Sequence, residues 1–457
     1  MPSVTYRNYL KPFQCNSYDY CITHDNCGLL PVEMRGGKTY ITIASILYKM
    51  RKIKLDCKNI LIVCPYSAFF GWNETLQFFG INKNQIIFLT GTQQERLAIL
   101  KTNENEKNLW YIINKEGFLI LPEIKNLNLY TVILDESRII ANPKSQVSKF
   151  FTKNFTDVKS KYALSGFPWA ESKLELFQQL KFLFDTVLGC ENYYKFRKKY
   201  FRLYGYTWKI TKNGDSLLSK FIANNCTQLY RRDISDFKYK KNYLIFSCEK
   251  PEKLKKIEND IKSLMILKSK SGIEIDTGKF SIEAFTWLRL LTGGIYNNEL
   301  WFIDKLSLIE EVMNEHYSNK KIIIWAVYTE EIKMISKFFK IPYIDGSIFP
   351  VKRDEIIKKF KFHDVNKIVI QPECFKYGQN LHEADVCIYY STPFSMDTRK
   401  QTEDRIIDIK NKSDKDIVDL VMRESIDEDI ILKLKNKESN IEFFKRLIEK
   451  YKTYEKR

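Results

Sequence analysis

Short runs of consecutive apolar residues recur along the chain, each closed by a polar or glycine-containing turn. The first, Gly28-Leu29-Leu30-Pro31, leads into Val32-Glu33-Met34-Arg35-Gly36-Gly37-Lys38-Thr39. Next come Asn59-Ile60-Leu61-Ile62-Val63-Cys64-Pro65, Ile86-Ile87-Phe88-Leu89, Trp110-Tyr111-Ile112-Ile113, Tyr130-Thr131-Val132-Ile133-Leu134 and Tyr162-Ala163-Leu164. Apolar runs of this length, without polar alternation, read as strands buried on both faces. Helical patterns separate them: Ile41 to Met50, a stretch opening at Trp72-Asn73-Glu74, another after Thr90-Gly91-Thr92, and the amphipathic Leu174 to Leu183. Strands alternating with helices predict a doubly wound parallel sheet, whose ligands gather beyond the carboxyl ends of its strands.

The same alternation returns later, at Ile322 to Trp325, Tyr343-Ile344, Lys367 to Ile370 and Val386 to Tyr390. Between the two patterned regions the texture changes. Tyr193 to Trp208 interleaves Lys195, Arg197, Lys198, Lys199 and Arg202 with Tyr and Phe, as a surface for phosphate contact and base stacking would. An amphipathic helix with aromatics inside and lysines outside accounts for it equally well. Lys212-Asn213-Gly214-Asp215 reads as a turn, with a hairpin tip as one use of it. Glu249 to Leu291 is mostly helical in pattern. The expected organisation is an α/β lobe over 1–190, a helical insertion over 191–300, and a second α/β lobe with a closing helix over 301–457. That last helix would bury Ile441, Phe444, Ile448 and Tyr451 on one face and brace the lobe, with DNA contact through its basic residues as the alternative.

The candidate chemistry sits at the ends of the predicted strands. A strand, a glycine turn and Lys38-Thr39 opening a helix is a geometry that wraps a triphosphate. Backbone N–H groups and the helix N-terminus face the anion, Lys38 adds a charge, and the Thr39 hydroxyl can ligate Mg²⁺. Gln14, about twenty residues upstream, carries an amide able to read an adenine edge. The fifth of these runs, Tyr130 to Leu134, ends in Asp135-Glu136. Adjacent carboxylates after a buried run suit one residue holding Mg²⁺ through its water shell and one polarising an attacking water.

The order of these motifs resembles the Swi/Snf-type DNA translocases of helicase superfamily two. That family's phosphate loop, Asp-Glu-Met-Gly-Leu-Gly-Lys-Thr, is matched by Glu33-Met34 and Gly37-Lys38-Thr39; Arg35 stands where the family has Gly, beside Gly36. Its Asp-Glu-Ala-His motif corresponds to Asp135-Glu136, with Arg138 at the His position, and its Leu-Thr-Gly-Thr-Pro motif to Leu164-Ser165-Gly166-Phe167-Pro168. Leu229-Tyr230-Arg231-Arg232 is similar to its Leu-Arg-Arg segment, and Gly378-Gln379-Asn380-Leu381 to its Gly-Leu-Asn-Leu motif. The resemblance implies two RecA-like lobes, ATP with Mg²⁺ as cofactor, and nucleotide contacts at Gln14, Arg35, Gly36, Gly37, Lys38 and Thr39. It implies backbone contacts to DNA from Pro65, Ser67, Asn114, Gly378 and Asn380. Lys38, Asp135, Glu136 and Arg405 would be catalytic, with Thr39 and Asp135 holding the metal. The family's second Arg, three residues after Arg405, is Asp408 here, so either Arg405 suffices, or Arg399, Lys400 or Lys410 substitutes, or hydrolysis is weak.

The formal charge of +18 favours an anionic partner, although a Lys-rich composition accounts for part of it. Ten cysteines lack a disulfide-like spacing, as a reducing compartment would leave them. Cys15, Cys21, His24 and Cys27 have the residue types of a zinc site but no paired CxxC, and they lie where a helix should precede the phosphate loop. With no leader-like N-terminus and no long apolar run, the expected protein is soluble and cytoplasmic, with no membrane partner. The expectation is a compact, phage-like, monomeric DNA-dependent ATPase that translocates on or remodels duplex DNA in replication, repair or recombination. Its alternatives are a strand-separating DNA or RNA helicase and an ATPase-impaired DNA clamp.

Overall fold

In chain order the first strands are β1 (Asn26–Val32), β2 (Asn59–Val63), β3 (Ile86–Leu89), β4 (Trp110–Ile113), β5 (Leu129–Asp135), β6 (Ser160–Leu164), β7 (Phe201–Tyr204), β8 (Thr207–Ile210) and β9 (Cys226–Leu229). Seven of them form one parallel sheet in the order β3-β4-β2-β5-β6-β1-β9, while β7 and β8 pair antiparallel as a separate hairpin. These assignments come from a computed structural model describing residues 6–33, 36–52, 59–169, 172–204, 207–230, 233–234, 240–270, 279–363, 365–375, 381–407, 413–436, 438 and 440–454. The chain divides into two units, Met1–Phe237 and Lys238–Arg457.

The strands are apolar throughout because both faces of the sheet are covered. Leu61, Val63, Tyr111, Ile113, Val132 and Leu134 point into one core, and Ile60, Ile62, Ile112 and Ile133 into another. The second core is capped by α1 (Pro12–Thr23), α2 (Lys38–Lys52) and α3 (Phe69–Phe78). The first is capped by α4 (Gln93–Thr102), α5 (Lys115–Leu119), α6 (Gln146–Asn154), α7 (Leu176–Leu183), α8 (Tyr193–Tyr200) and α9 (Lys212–Asn225). Because every strand runs the same way, the segments after Val32, Val63, Ile113, Asp135 and Leu164 emerge along one edge.

The hairpin-tip reading of Lys212 to Asp215 is not what forms. These residues are the first turn of α9, and the Thr211 hydroxyl caps it by accepting from the Gly214 N–H at 3.0 Å. A threonine cap with Asp215 in the first turn outcompetes the Asn-Gly turn signal. Gly214 serves close approach instead, since a Cβ there would lie 2.9 Å from the Tyr200 carbonyl oxygen.

The second unit holds β10 (Lys241–Cys248), β11 (Ile295–Tyr296), β12 (Glu299–Leu300), β13 (Ile322–Trp325), β14 (Tyr343–Ile344), β15 (Lys367–Ile370), β16 (Val386–Tyr389) and β17 (Lys415–Met422). Its parallel sheet runs β10-β17-β16-β13-β15-β14. Strand β10 was not expected from the sequence; it pairs with β17 along its whole length, from Lys241 opposite Lys415 to Cys248 opposite Met422. The helices are α10 (Glu252–Lys270), α11 (Lys279–Thr292), α12 (Asp304–Glu315), α13 (Thr329–Phe339), α14 (Pro350–Phe362), α15 (Met396–Arg405), α16 (Ile426–Asn436) and α17 (Asn440–Tyr454). Helices α10, α11, α16 and α17 share a core of their own that includes Leu254, Phe285, Leu288, Ile430 and Phe443. Helix α17 buries Phe443, Leu447 and Tyr451, a face rotated by about one residue from the expected one, because Phe443 packs against Phe285 and Phe394. Its Arg446 and Lys450 pair with Asp429 of α16 at 2.9 and 2.8 Å, so part of its basic side is spent on bracing.

The architecture is therefore α/β, with two doubly wound parallel-sheet lobes. Of residues 191–300, those up to 237 belong to the first unit and the remainder to the second. Among the described residues no helix is long and apolar enough to cross a membrane.

Candidate nucleotide and nucleic-acid site

Strand β1 lies between β6 and β9, and both neighbours hold the start of the phosphate loop. The Val32 N–H donates to the Ser165 carbonyl at 3.1 Å and the Glu33 N–H to that of Leu229 at 2.8 Å. Met34 and Arg35 lie outside the described residues. Gly36 N–H then donates back to Glu33 at 2.9 Å, and α2 begins at Lys38, its first turn marked by Ile41 N–H to the Gly37 carbonyl. The N-terminus of a fifteen-residue helix thus faces the edge of the sheet, with the partial positive charge such an end carries.

The loop has no room for side chains at its glycines. A Cβ on Gly36 would sit 2.9 Å from the Leu229 side chain and 3.0 Å from the Glu33 carbonyl. Gly37 has φ of +83°, and a Cβ there would meet the Gln14 amide nitrogen at 1.9 Å. Gln14 is buried in the first turn of α1 and clasps this loop. Its amide nitrogen donates to the Gly36 carbonyl at 3.0 Å, and its amide oxygen accepts from the Lys11 N–H at 2.9 Å.

Asp135 closes β5, whose register sets Asp135 opposite Leu164 and Leu134 opposite Val63. Burial pushes the Asp135 carboxyl up from its ordinary value; the Lys38 ammonium, the Trp72 indole and the Glu136 N–H pull the other way. Trp72, on α3, donates its indole N–H to Asp135 Oδ2 at 2.9 Å, and Glu136 N–H donates to Oδ1 at 3.0 Å. Each oxygen retains a lone pair for a cation or water. Glu136 follows in the left-handed region, φ +51° and ψ +55°, a strained conformation for a residue with a Cβ.

The turn after Glu136 is wired to the loop after β6. Ser137 donates to the Gln179 amide oxygen at 2.7 Å, and the Gln179 amide nitrogen donates to the carbonyls of Pro168 and Glu175. Arg138 pairs with Glu175 at 2.8 Å. Ser165 is buried and accepts from the Phe167 N–H at 3.2 Å. The positions at which this chain departs from the family pattern, Arg138 and Phe167, therefore sit on a hydrogen-bonded bridge between two loops.

Pro65 and Ser67 flank a short turn directly after β2 and are half-buried, with Tyr66 exposed between them. Asn114 follows β4, heads α5, and donates to Glu116 at 2.8 Å; among the described residues its buried side-chain oxygen accepts no hydrogen bond. Gly378, Asn380 and Asp408 lie outside the described residues, as does Lys410.

In the second unit Arg405 is the last residue of α15, largely buried, and its carbonyl accepts from the Leu381 N–H at 2.9 Å. Arg399, one turn and a half earlier, is not a free substitute for a missing arginine. Its guanidinium grips both oxygens of Asp419, donates to Glu403 at 2.7 Å, and lies 3.6 Å from the centre of the Tyr389 ring. These buried carboxylates hold its already high pKa higher still against burial. Lys400 is exposed.

Sequence reasoning missed Trp72, Gln179 and the clasp by Gln14, all of which act through contacts between residues far apart in the chain. Only Gln14 had a signal, its placement before the loop. Of the zinc-type residues, His24 stacks on Tyr20 at 4.0 Å, and the described residues contain no group of three or more side chains able to hold a metal ion.

The family model for the SNF2-related domain matches residues 14–288, and that for the helicase conserved C-terminal domain matches residues 304–410. The probable ATP-dependent DNA helicase CHR12 of Arabidopsis thaliana is 22% identical over 95% of this chain and 42% of its own length. The nuclear protein STH1/NPS1 of Saccharomyces cerevisiae is 21% identical over 94% of this chain and 34% of its own. The chain thus spans well under half the length of these curated relatives. Among solved structures, the Sulfolobus solfataricus SWI2/SNF2 ATPase core in complex with dsDNA aligns with TM-score 0.43 and 18% identity, covering 95% of this chain and 92% of that one.

Proposed function

The chain belongs to the SNF2-related family, and from that premise we propose that it is a DNA-dependent ATPase that translocates on or remodels duplex DNA. One observation carries the reading. The tight Gly36-Gly37 turn, Lys38 at the start of α2 and the buried Asp135 lie at one edge of a single parallel sheet, near enough that Lys38 opposes the effect of burial on Asp135.

In this reading the loop amides and Lys38 bind the phosphates of ATP. Thr39 and Asp135 offer the hard oxygen donors that Mg²⁺ requires, and the metal supplies neutralising charge to the phosphate oxygens. Glu136, held in its left-handed turn, orients the attacking water and accepts its proton. Arg405 is the proposed source of positive charge for the transferring phosphate. Pro65, Ser67, Asn114 and the turn containing Gly378 and Asn380 touch the sugar-phosphate backbone, which positions the protein without reading sequence.

The test is ATP hydrolysis measured in parallel with duplex DNA, single-stranded DNA and RNA. Duplex should stimulate most. Lys38→Ala and Glu136→Gln should each lower turnover by on the order of 10² to 10³-fold, with duplex binding retained. Normal turnover in either variant would remove the site assignment. Tight duplex binding without any stimulation would instead mark an ATPase-impaired clamp.

A further inference from the structure

Residues 193–213 contain seven Lys and Arg and no Asp or Glu. The structure sorts this stretch into two sets. Phe196, Tyr200 and Phe201 are buried in the core of the first unit, whereas Tyr194 and Tyr204 are exposed along with Lys195, Lys198, Lys199, Arg202 and Lys209. The hairpin register sets Arg202 directly opposite Lys209. Like charges opposite one another destabilise a strand pair, and among the described residues no carboxylate forms an ion pair with either. Arg202 donates to the carbonyls of Lys198 and Phe201 at 3.1 and 2.8 Å, which fixes the guanidinium at the end of α8 without neutralising it.

Two contacts tie the helix to the hairpin. The Arg197 guanidinium lies 4.4 Å from the centre of the Trp208 ring, and Thr211 N–H donates to the Tyr200 carbonyl at 2.9 Å. A surface that holds cations in place against their own repulsion is organised in advance for an anion. Basic side chains strung along a helix and hairpin match the electrostatic footprint of a sugar-phosphate backbone.

We propose that the exposed face of α8 and the β7–β8 hairpin is a second nucleic-acid contact, gripping the backbone in addition to the residues proposed above at the carboxyl edge of the sheet. The ligand chemistry is a polyphosphate backbone, taken here as duplex DNA, and in that choice the inference rests on the proposed function.

The test is the double variant Arg202→Thr/Lys209→Thr, chosen to keep strand propensity. Its thermal midpoint without DNA should equal or exceed that of the parent, because a repulsive pair has been removed. Its duplex affinity at low salt should fall about tenfold or more, and the slope of log K against log salt should shrink by about two. Changing Lys195, Lys198 and Lys199 together to Gln should shrink the slope similarly without touching the hairpin. An unchanged slope in both variants overturns the inference while leaving the proposed function standing. So does a lower midpoint in the hairpin variant together with an unchanged slope in the helix variant, which would make the pair structural. A parent protein that binds no duplex overturns both readings.

Discussion

Asp135 is a carboxyl whose burial favours the neutral acid and whose neighbours favour the anion. The indole N–H of Trp72 is one of those neighbours, and it stabilises only the charged form. Trp72→Phe keeps an aromatic ring, though a smaller one, and removes the donor, so the Asp135 pKa should rise further. Since Mg²⁺ needs the ionised carboxylate, the acid limb of the ATPase pH profile should move to higher pH while the alkaline limb stays. An acid limb that does not move would show that Asp135 is not the group titrating there. Lys38, Asp135 and Glu136 were legible in the sequence because each lies in a short local pattern of strand, turn and helix start. Trp72 was not, because its partner is 63 positions away and nothing local distinguishes it from any other core tryptophan.

At the scale of elements, the turn after β5 and the loop after β6 are joined by α7. Gln179 is fully buried and serves both, accepting from Ser137 and donating to Pro168. Gln179→Leu would leave a hydroxyl and a carbonyl without that partner, a loss of about 1–3 kcal/mol. A melting curve should record this as a fall of a few degrees (roughly 2–4 °C per kcal/mol for a domain of this size). If the bridge also carries coupling between hydrolysis and DNA contact, stimulation by duplex should drop more than the DNA-free rate. Equal loss of both rates would confine Gln179 to stability. The main strands were readable as apolar runs, but β10 was not. It opens with Lys241 and Asn242 and exposes Tyr243 and Ile245 as an edge strand, so burial did not impose the usual pattern. The α9 start shows the opposite error, where a local turn signal lost to a threonine cap.

For the whole molecule, two arginines of one helix in the second unit have separable roles. Arg399 neutralises two buried carboxylates of its own unit, so Arg399→Ala should destabilise the protein by about 3–5 kcal/mol, as removing one partner of a buried pair does. Arg405→Ala, if Arg405 supplies charge to the transferring phosphate, should instead cut turnover by roughly 10³-fold or more with ADP affinity preserved. Thermal midpoint and turnover measured on both variants separate the roles; a stability loss for Arg405→Ala with turnover intact would discard it as a catalytic group. The sequence by itself determined the alternation that makes two parallel sheets, the placement of Gly37, Lys38, Thr39, Asp135 and Glu136 at strand ends, and the excess of positive charge. Those are properties of local runs and of composition, which need no fold to be read. Only the tertiary structure decided that Gln14 closes on the glycine turn, that Trp72 serves Asp135, that Arg399 is already committed, and that Arg202 faces Lys209 across a hairpin. Each of these depends on which distant backbone segments lie side by side, and strand order and register, not neighbouring residues, set that.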